Sequence, residues 1–181
     1  KMVIKESQRA YTYLNLFGYP VDSILVNRLL PEEASTSYLQ HWKKAQEKNL
    51  HEVEEAFNPL PIFHVKLFER EISGVKDLSM VADDTYEGSD PTKIFYKGRP
   101  MEIRQRNNNY NLYLKLPFVD KEKLDMWVRG DELILQVGSF KRNIFLPRTL
   151  VDRKILEADF VGQKLRLVFE GDGDDGGKKT T

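Results

Sequence analysis

The fold class of the first half of this chain is decided by the stretch ILVNRLLP, residues Ile24–Pro31. It is a short and nearly continuous apolar run that only Asn27 and Arg28 interrupt. Runs of this kind are typical of strands buried on both faces of a parallel sheet, because helices cover both faces of such sheets. We therefore predict a buried parallel strand that ends at the proline.

Helical patterns lie on both sides of this strand. The helix before it ends at Gly18, because glycine adopts the left-handed conformation of a helix C terminus at little cost. The alternation of helices and strands predicts an α/β layer. Two strands are too few for a stable open sheet, so we expect further strands upstream of Lys1. The predicted elements are a helix over Met2–Phe17, the strand, a helix over Ser35–Phe57, a strand over Ile62–Phe68 and a helix carrying Val75–Val81.

The hydrophobic period changes from helical to two after Asp83, where a polar segment contains Gly88 and Pro91. Beyond it, apolar and polar residues alternate along several short segments that turn residues separate, which predicts an all-β antiparallel sandwich. The end of the chain is rich in glycine and charge and lacks apolar residues, so we predict that it is disordered. The predicted divisions are a first domain over residues 1–83, a linker over 84–93, the sandwich over 94–170 and the tail over 171–181.

Composition excludes several classes of function. The chain has 28 Lys plus Arg and 28 Asp plus Glu, so its formal net charge is zero and nothing predicts affinity for nucleic acid or anionic membranes. It contains no cysteine, which excludes disulfides, thiolate zinc sites and cysteine nucleophiles. No apolar run has the roughly 20 residues of a membrane-spanning helix, and no signal peptide opens the chain. We predict a cytoplasmic protein without a transmembrane segment.

Few residues have the features of a catalytic or metal site. The sequence contains no glycine-rich phosphate loop and no nucleophile elbow. His41, His51 and His64 lack converging ligands, and we interpret them as structural or solvent-facing. The acidic clusters Asp83–Asp84 and Asp172–Asp175 lack the ligand pattern of an EF-hand loop, so we interpret them as solvated charge. We predict no catalytic and no metal-binding residue.

Asn27 is the most informative polar residue, since it lies inside an apolar strand, where an amide must find hydrogen-bond partners. One interpretation is that its side chain bonds to neighbouring backbone and ties the strand together. The other is that it faces a ligand, because α/β sheets bind ligands at the carboxyl ends of their strands. The physical chemistry of the sequence leaves both interpretations open.

Four segments of the first half resemble the anion-transporting, or arsenical-pump, ATPases in their order and spacing. This family includes arsenite-efflux motors and carriers of tail-anchored membrane proteins. The resemblance extends from Met2 to about Val81 and implies the C-terminal part of a P-loop ATPase domain. The segments are ESQRA at Glu6–Ala10, GYPVD at Gly18–Asp22, VNRLLP at Val26–Pro31 and FEREISGV at Phe68–Val75.

The second half resembles the small-heat-shock, or α-crystallin, sandwich that is appended to some bacterial members of that family. Its strands and its Leu-Pro strand end occur in the same order as in the family, and the combination with the ATPase segments is more specific than either part alone. The segments that carry this resemblance are GDELIL at Gly130–Leu135, RNIFLP at Arg142–Pro147, ADF at Ala158–Phe160 and KLRLVF at Lys164–Phe169.

The resemblance implies a nucleotide site to which this chain contributes one side. Asn27 would face the adenine ring, where an amide can donate and accept hydrogen bonds. Lys66, Leu67 and Phe68 would form the adenine wall, although the family often has proline at the position of the lysine. The phosphate loop, the switch aspartates and the Mg²⁺ ligands would lie upstream. ATP and Mg²⁺ are therefore expected as cofactors of the longer protein, and this chain alone is expected to be inactive.

The sequence also departs from the family. Carriers of tail-anchored proteins have a zinc-binding cysteine pair between the two strands, whereas this chain has Ser35 and Tyr38 there and no cysteine. That departure excludes zinc clamping of this kind. We expect a homodimer through the longer ATPase domain, with a protein client or a membrane as a further partner.

Two functional hypotheses follow from these observations. The first is a portion of an anion-transporting or membrane-protein-targeting ATPase with an accessory sandwich. The alternative is a stand-alone, chaperone-like or protein-interaction module without catalysis. In the alternative, the apolar segments Leu112–Phe118 and Ile144–Leu146 would bind a client, but their alternation favours a place in the sandwich core.

Overall fold

The structure is a computed structural model that describes residues 1–33 and 36–172. The chain forms two compact units. The first contains Lys1–Lys5 and Val21–Lys97, and the second contains Glu6–Pro20 together with the chain from Gly98 onward. Within the described ranges, no helix combines the length and the apolar character that a membrane crossing needs.

The first half of the chain alternates helices with strands, as predicted for an α/β layer. The first two strands pair in parallel, with Ile24 opposite Ile62. The predicted alternation and the parallel pairing are therefore confirmed. The elements are α1 at Met2–Leu16, β1 at Ile24–Leu29, α2 at Ser37–Phe57, β2 at Ile62–Lys66 and α3 at Gly74–Tyr86.

The prediction that β1 is buried on both faces is wrong for this structure. No residue of the strand is fully buried, and Leu25 is 51% exposed. The sheet formed by the described residues has two strands, β1 and β2. A sheet this narrow gives helices too little surface to cover both faces, which leaves apolar side chains of β1 accessible.

The second half forms the predicted antiparallel sandwich, which is confirmed by its strand pairing. One sheet has the order β3-β4-β9-β8 and the other has the order β5-β6-β7. A short 3₁₀ helix, Lys121–Lys123, precedes the second sheet. The strands are β3 at Met101–Arg106, β4 at Asn109–Lys115, β5 at Leu124–Arg129, β6 at Glu132–Val137, β7 at Phe140–Phe145, β8 at Ile155–Val161 and β9 at Lys164–Phe169.

The inward faces of the two sheets form the sandwich core. Leu112 and Leu167 of the first sheet and Leu133 and Leu135 of the second are completely buried. The core also takes in the apolar residues that alternate along Leu112–Leu116 and the pair Ile144 and Leu146. The two segments considered above as client-binding surfaces therefore contribute to the core, as their alternation predicted.

The helix α1 ends at the predicted glycine. The Gly18 N–H donates to the Asn15 carbonyl at 3.0 Å, and the Tyr19 N–H donates to the Leu14 carbonyl at 2.8 Å. These two bonds define a Schellman motif, which needs a left-handed residue after the last helical turn. The φ of Gly18 is 81°, so glycine meets that need without strain.

The part of α1 from Glu6 onward belongs to the sandwich unit. Leu16 is 1% exposed and lies in the sandwich core. This assignment differs from the predicted first domain over residues 1–83, because the apolar face of the helix packs on sandwich residues. Helical periodicity shows that a helix buries one face, but it does not show which part of the protein that face packs against.

The end of the first unit also differs in detail from the predicted linker. α3 continues to Tyr86, so residues 84–86 of that linker are helical. Glu87 follows in the left-handed conformation and donates its N–H to the Asp83 carbonyl at 3.0 Å. Tyr96, which was assigned to the sandwich, lies in the first unit, where its N–H donates to the Asp22 carboxylate at 2.7 Å.

Of the predicted tail, the structure describes two residues, Gly171 and Asp172. The Asp172 carboxylate accepts hydrogen bonds from the Tyr110 hydroxyl at 2.8 Å and from the Arg153 guanidinium. Both partners lower the pKa of Asp172, the arginine most strongly. The rest of the tail, which was predicted to be disordered, and Ser35 lie outside the described residues.

Candidate functional site

A cavity of about 360 Å³ lies at the carboxyl ends of the parallel strands β1 and β2. All four residues that the resemblance assigns to the adenine side line this one cavity, although Asn27 belongs to the first strand and Lys66, Leu67 and Phe68 lie at the end of the second. The parallel pairing explains this convergence, because it brings both strand ends to the same edge of the sheet. The lining residues are Asn27, Arg28, Val65, Lys66, Leu67, Phe68, Arg70, Ile72 and Val81.

Asn27 lies in a bulge of β1. The pairing register with β2 shifts between Val26 and Leu29, and Arg28 has a φ of 62°. The Asn27 side-chain carbonyl accepts the Arg28 N–H at 2.7 Å, so the side chain bonds to neighbouring backbone. Asn27 is exposed at the cavity edge rather than enclosed in a strand buried on both faces.

The amide of Asn27 has two ends with different roles. Its oxygen is engaged by the bulge, whereas its NH₂ group carries two further donors. A ligand in the cavity that offers acceptor atoms matches these donors. Backbone anchoring and ligand contact are therefore compatible within one side chain, and the two interpretations from the sequence do not exclude each other.

The second strand supplies the opposite side of the cavity. The Leu67 N–H donates to the Leu29 carbonyl at 2.7 Å, which continues the contact between the strands beyond the end of β2. Lys66 is exposed and donates to the Asp84 carboxylate at 2.5 Å. The hydrogen bond and charge of Asp84 raise the pKa of Lys66. Phe68 is half-buried at the cavity wall.

Sequence reasoning missed two arginines of this cavity, Arg28 and Arg70. The Arg70 guanidinium donates to the Asp77 carboxylate at 2.7 Å, and the same carboxylate accepts the Ser73 N–H at 3.3 Å at the start of α3. The sequence held a signal for both residues, since each follows within two positions of a predicted site residue. Their approach to one cavity, however, depends on the bulge and on the turn into α3.

A second, larger cavity of about 600 Å³ lies beside β1 and α2 in the same unit. Asn27 and Arg28 line this cavity as well. Its wall is mostly apolar, and Trp42 of α2 is 55% exposed there. Gln46 of α2 accepts the Leu30 N–H at 2.8 Å and so holds the end of β1 against the helix.

Residues considered as metal ligands in the sequence remain apart. The described ranges contain no group of three or more His, Asp or Glu side chains that could hold a metal ion. His51 lies near Glu54 and Glu55 on the exposed face of α2, with nitrogen–oxygen distances of 4.0 and 3.3 Å. Asp84 pairs with Lys66, and Asp174 and Asp175 lie outside the described residues.

Two family models match the chain in sequence order. Residues 1–87 match the model described as anion-transporting ATPase. Residues 107–169 match the model described as HSP20-like domain found in ArsA. Together the two matches account for the α/β half and for nearly all of the sandwich strands.

Known proteins give the same assignment. A protein of Prosthecochloris vibrioformis named as an arsenical pump-driving ATPase is 41% identical over 170 residues, which are 94% of this chain and 42% of that protein. A protein of Aquifex aeolicus with the corresponding name is 41% identical over 154 residues, which are 83% of this chain and 39% of that protein. This chain therefore spans about two fifths of the length of these relatives.

Among solved structures, HSP18.5 from E. histolytica is 17% identical, with 45% of this chain and 94% of that chain covered and a TM-score of 0.36. The assignment of the second half rests instead on the HSP20-like family model and on the strand order of the sandwich. The two family models match in the order ATPase and then HSP20-like domain, and the relative from Prosthecochloris vibrioformis aligns with 94% of the chain. This chain therefore belongs to the anion-transporting ATPase family, and its second half is the HSP20-like domain of that family.

Proposed function

We propose that this chain supplies the adenine-side wall of the nucleotide site in a longer anion-transporting or membrane-protein-targeting ATPase, with the sandwich as an accessory module. Asn27 contacts the edge of the base, and Lys66, Leu67 and Phe68 form the wall. ATP and Mg²⁺ are the cofactors of the longer protein. The proposal includes a homodimer formed through the complete ATPase domain and a protein client or membrane as partner, in the cytoplasm.

The observation that carries this proposal is the shared cavity at the strand ends. In α/β sheets, ligands bind in the crevice outside the carboxyl ends of the strands. The cavity brings an amide from β1 together with the segment that follows β2. This arrangement supports a single ligand that touches both strands.

The chemistry of the lining fits a purine base. Apolar side chains in the lining can cover the faces of a planar ring. They belong to Val65, Leu67, Phe68, Ile72 and Val81. The NH₂ group of the nearby asparagine can donate to acceptor nitrogens on the ring edge. The lining therefore combines apolar cover with one orienting amide, as small-molecule sites generally do.

The chain leaves the phosphate side of the site to the rest of the longer protein. Phosphoryl transfer needs a phosphate cradle, magnesium ligands and a positioned water. The 181-residue sequence contains no phosphate-loop motif that could provide the cradle. This chain therefore binds and orients the base in the proposal, and it does not carry out the chemical step.

The test is Asn27→Ala in the longer protein. Removal of a hydrogen bond to the base is expected to cost on the order of 1–3 kcal/mol, which corresponds to roughly a five- to hundredfold loss of ATP affinity. The loss should be larger for ATP than for GTP if the amide reads an adenine-specific edge. Nucleotide affinity is measured by fluorescence titration, and folding by thermal denaturation.

Two further variants separate ligand binding from anchoring of the strand. Asn27→Asp keeps an oxygen for the Arg28 N–H but lacks the NH₂ donors, so it should also lose ATP affinity. Asn49→Ala is the matched control, because Asn49 lines only the larger of the two cavities described above. Unchanged nucleotide affinity in both Asn27 variants, beside a lowered melting temperature in the alanine variant, would refute the proposal.

A further inference from the structure

Arg28 lines the cavity at the strand ends together with its sequence neighbour Asn27. Adjacent residues of a regular strand point to opposite faces of the sheet, so a regular strand would direct only one of these two side chains into the cavity. Here the register with β2 shifts between Val26 and Leu29, and Arg28 has a φ of 62°. A bulge of this kind changes the direction of a side chain. The irregularity therefore brings both residues to the same cavity.

The left-handed conformation of Arg28 is unfavourable for a residue with a Cβ, whereas glycine adopts it without strain. The Asn27 side-chain oxygen holds this conformation, because it accepts the Arg28 N–H at 2.7 Å. Residues kept in such conformations are concentrated at ligand sites, where the surrounding structure offsets the strain. Arginine at this position costs stability that glycine would not, so the reason for its presence is to be sought in its side chain.

Arg28 differs from the other two cationic residues of the cavity. Lys66 donates to the Asp84 carboxylate at 2.5 Å, and Arg70 donates to the Asp77 carboxylate at 2.7 Å. Within residues 1–33 and 36–172, no carboxylate forms an ion pair with Arg28, which is exposed. Its planar guanidinium is therefore accessible to a ligand in the cavity.

The two sides of the cavity match the two faces of a flat ring. The segment that follows β2 contributes apolar surface from Leu67 and the half-buried Phe68. The end of β1 contributes the planar cation of Arg28. Guanidinium groups stack on aromatic faces through their plane and through attraction to the π electrons, and they stack on nucleic-acid bases in this way. A purine between the strand ends would have apolar cover on one face and a guanidinium on the other.

We propose that Arg28 is a contact residue of the nucleotide site and that its guanidinium stacks on the purine ring, opposite Leu67 and Phe68. This inference rests on the proposed nucleotide site and adds the residue that covers the second face of the base. Asn27 then has two roles, since it donates to the edge of the base and also fixes the backbone conformation that directs Arg28 into the cavity. The contact needs the purine ring and not the phosphates.

The test compares Arg28→Gly and Arg28→Lys in the longer protein, where ATP and adenosine each compete with a fluorescent ATP analogue. Glycine suits a φ of 62°, so Arg28→Gly should not lower the melting temperature, and a loss of binding cannot come from misfolding. Arg28→Gly should lose roughly five- to thirtyfold in affinity for both ligands, because both present the same ring. Arg28→Lys should restore little of this loss, since an ammonium group keeps the charge but lacks the plane.

Asp152→Gly is the matched control, because Asp152 has a φ of 63° and belongs to the sandwich unit. It relieves the same kind of backbone strain and should leave the affinity for both ligands unchanged. Unchanged affinity in Arg28→Gly would overturn the inference. A loss confined to ATP, or full recovery by lysine, would also overturn it, because either result indicates a contact with the phosphates.

Asn27→Ala in the same titration separates a failure of this inference from a failure of the proposed function. If Asn27→Ala loses ATP affinity and Arg28→Gly does not, the nucleotide site stands and the stacking contact is wrong. If neither variant loses affinity, both the site and the contact are wrong.

Discussion

Leu16→Ala is expected to destabilise the sandwich, because this residue of α1 is part of the sandwich core. Leu16 is 1% exposed and lies in one cluster with Leu112, Leu135 and Phe169. Its truncation removes buried methyl groups and leaves a cavity between closely packed neighbours. Buried leucine-to-alanine changes cost about 2–5 kcal/mol. Alanine is a better helix former than leucine, so a loss of stability cannot come from helix propensity.

The expected size of the effect is about 3 kcal/mol in the free energy of unfolding. With a urea dependence of about 2 kcal/mol per molar, the unfolding midpoint should fall by about 1.5 M. The chain has two tryptophans, and Trp127 lies in β5 of the sandwich. A background of Trp42→Phe therefore makes intrinsic fluorescence report on the sandwich alone.

The matched control is Leu14→Ala on the same helix. Leu14 is 43% exposed, so its truncation should cost less than about 1 kcal/mol. If the two variants unfold at the same urea concentration, the later turns of α1 do not belong to the sandwich. A smaller urea slope without a change in midpoint would indicate a change in the unfolded state, which would also contradict the prediction.

Two further predictions concern glycine and charge in the sandwich unit. Gly18→Ala should lower the melting temperature by several degrees in thermal denaturation, because φ is 81° and alanine adopts this left-handed conformation only with strain; an unchanged melting temperature would show that this helix end adjusts freely. Hydrogen bonds from Lys164 and Arg104 lower the pKa of Glu102, so its contribution to stability is present above an unfolded-state pKa of about 4.3 and is lost as pH falls through the folded-state pKa. Urea denaturation of Glu102→Gln should therefore show a deficit below about 1 kcal/mol at pH 7 that shrinks below about pH 4, and a deficit that does not depend on pH would exclude the ion pairs as its cause.

The sandwich was largely predictable because its strands have a period of two. Apolar residues alternate with others along β4, β6 and β9, since one face of each strand meets the core. The alternation of apolar residues did not identify β8. Its pairing register shifts between Ile155 and Glu157, and such an irregularity breaks the alternation on which the prediction depends.

The candidate site was predictable in its position and not in its geometry. A parallel pair of strands places both carboxyl ends at one edge, so the meeting of Asn27 with Lys66–Phe68 follows from topology. The bulge at Arg28 does not follow, because a left-handed residue other than glycine depends on its surroundings. The resemblance identified Asn27 as a candidate, but only the structure shows that the oxygen of its side-chain amide accepts a hydrogen bond from the Arg28 N–H.

The segment Glu6–Pro20 is matched to one domain by the family model and packs in the unit of the other. Its ESQRA and GYPVD motifs match the ATPase part of the family, and the ATPase family model begins before it and ends after it. Its apolar face nevertheless packs in the sandwich unit, where Leu16 is almost completely buried. A match by descent assigns a segment to the domain in which it is usually found, whereas stability depends on what the side chains contact. A truncation placed at the polar segment after α3 would therefore remove the helix that completes the sandwich core, and a stable sandwich fragment is expected to need residues 6–20 in addition to residues 98–172.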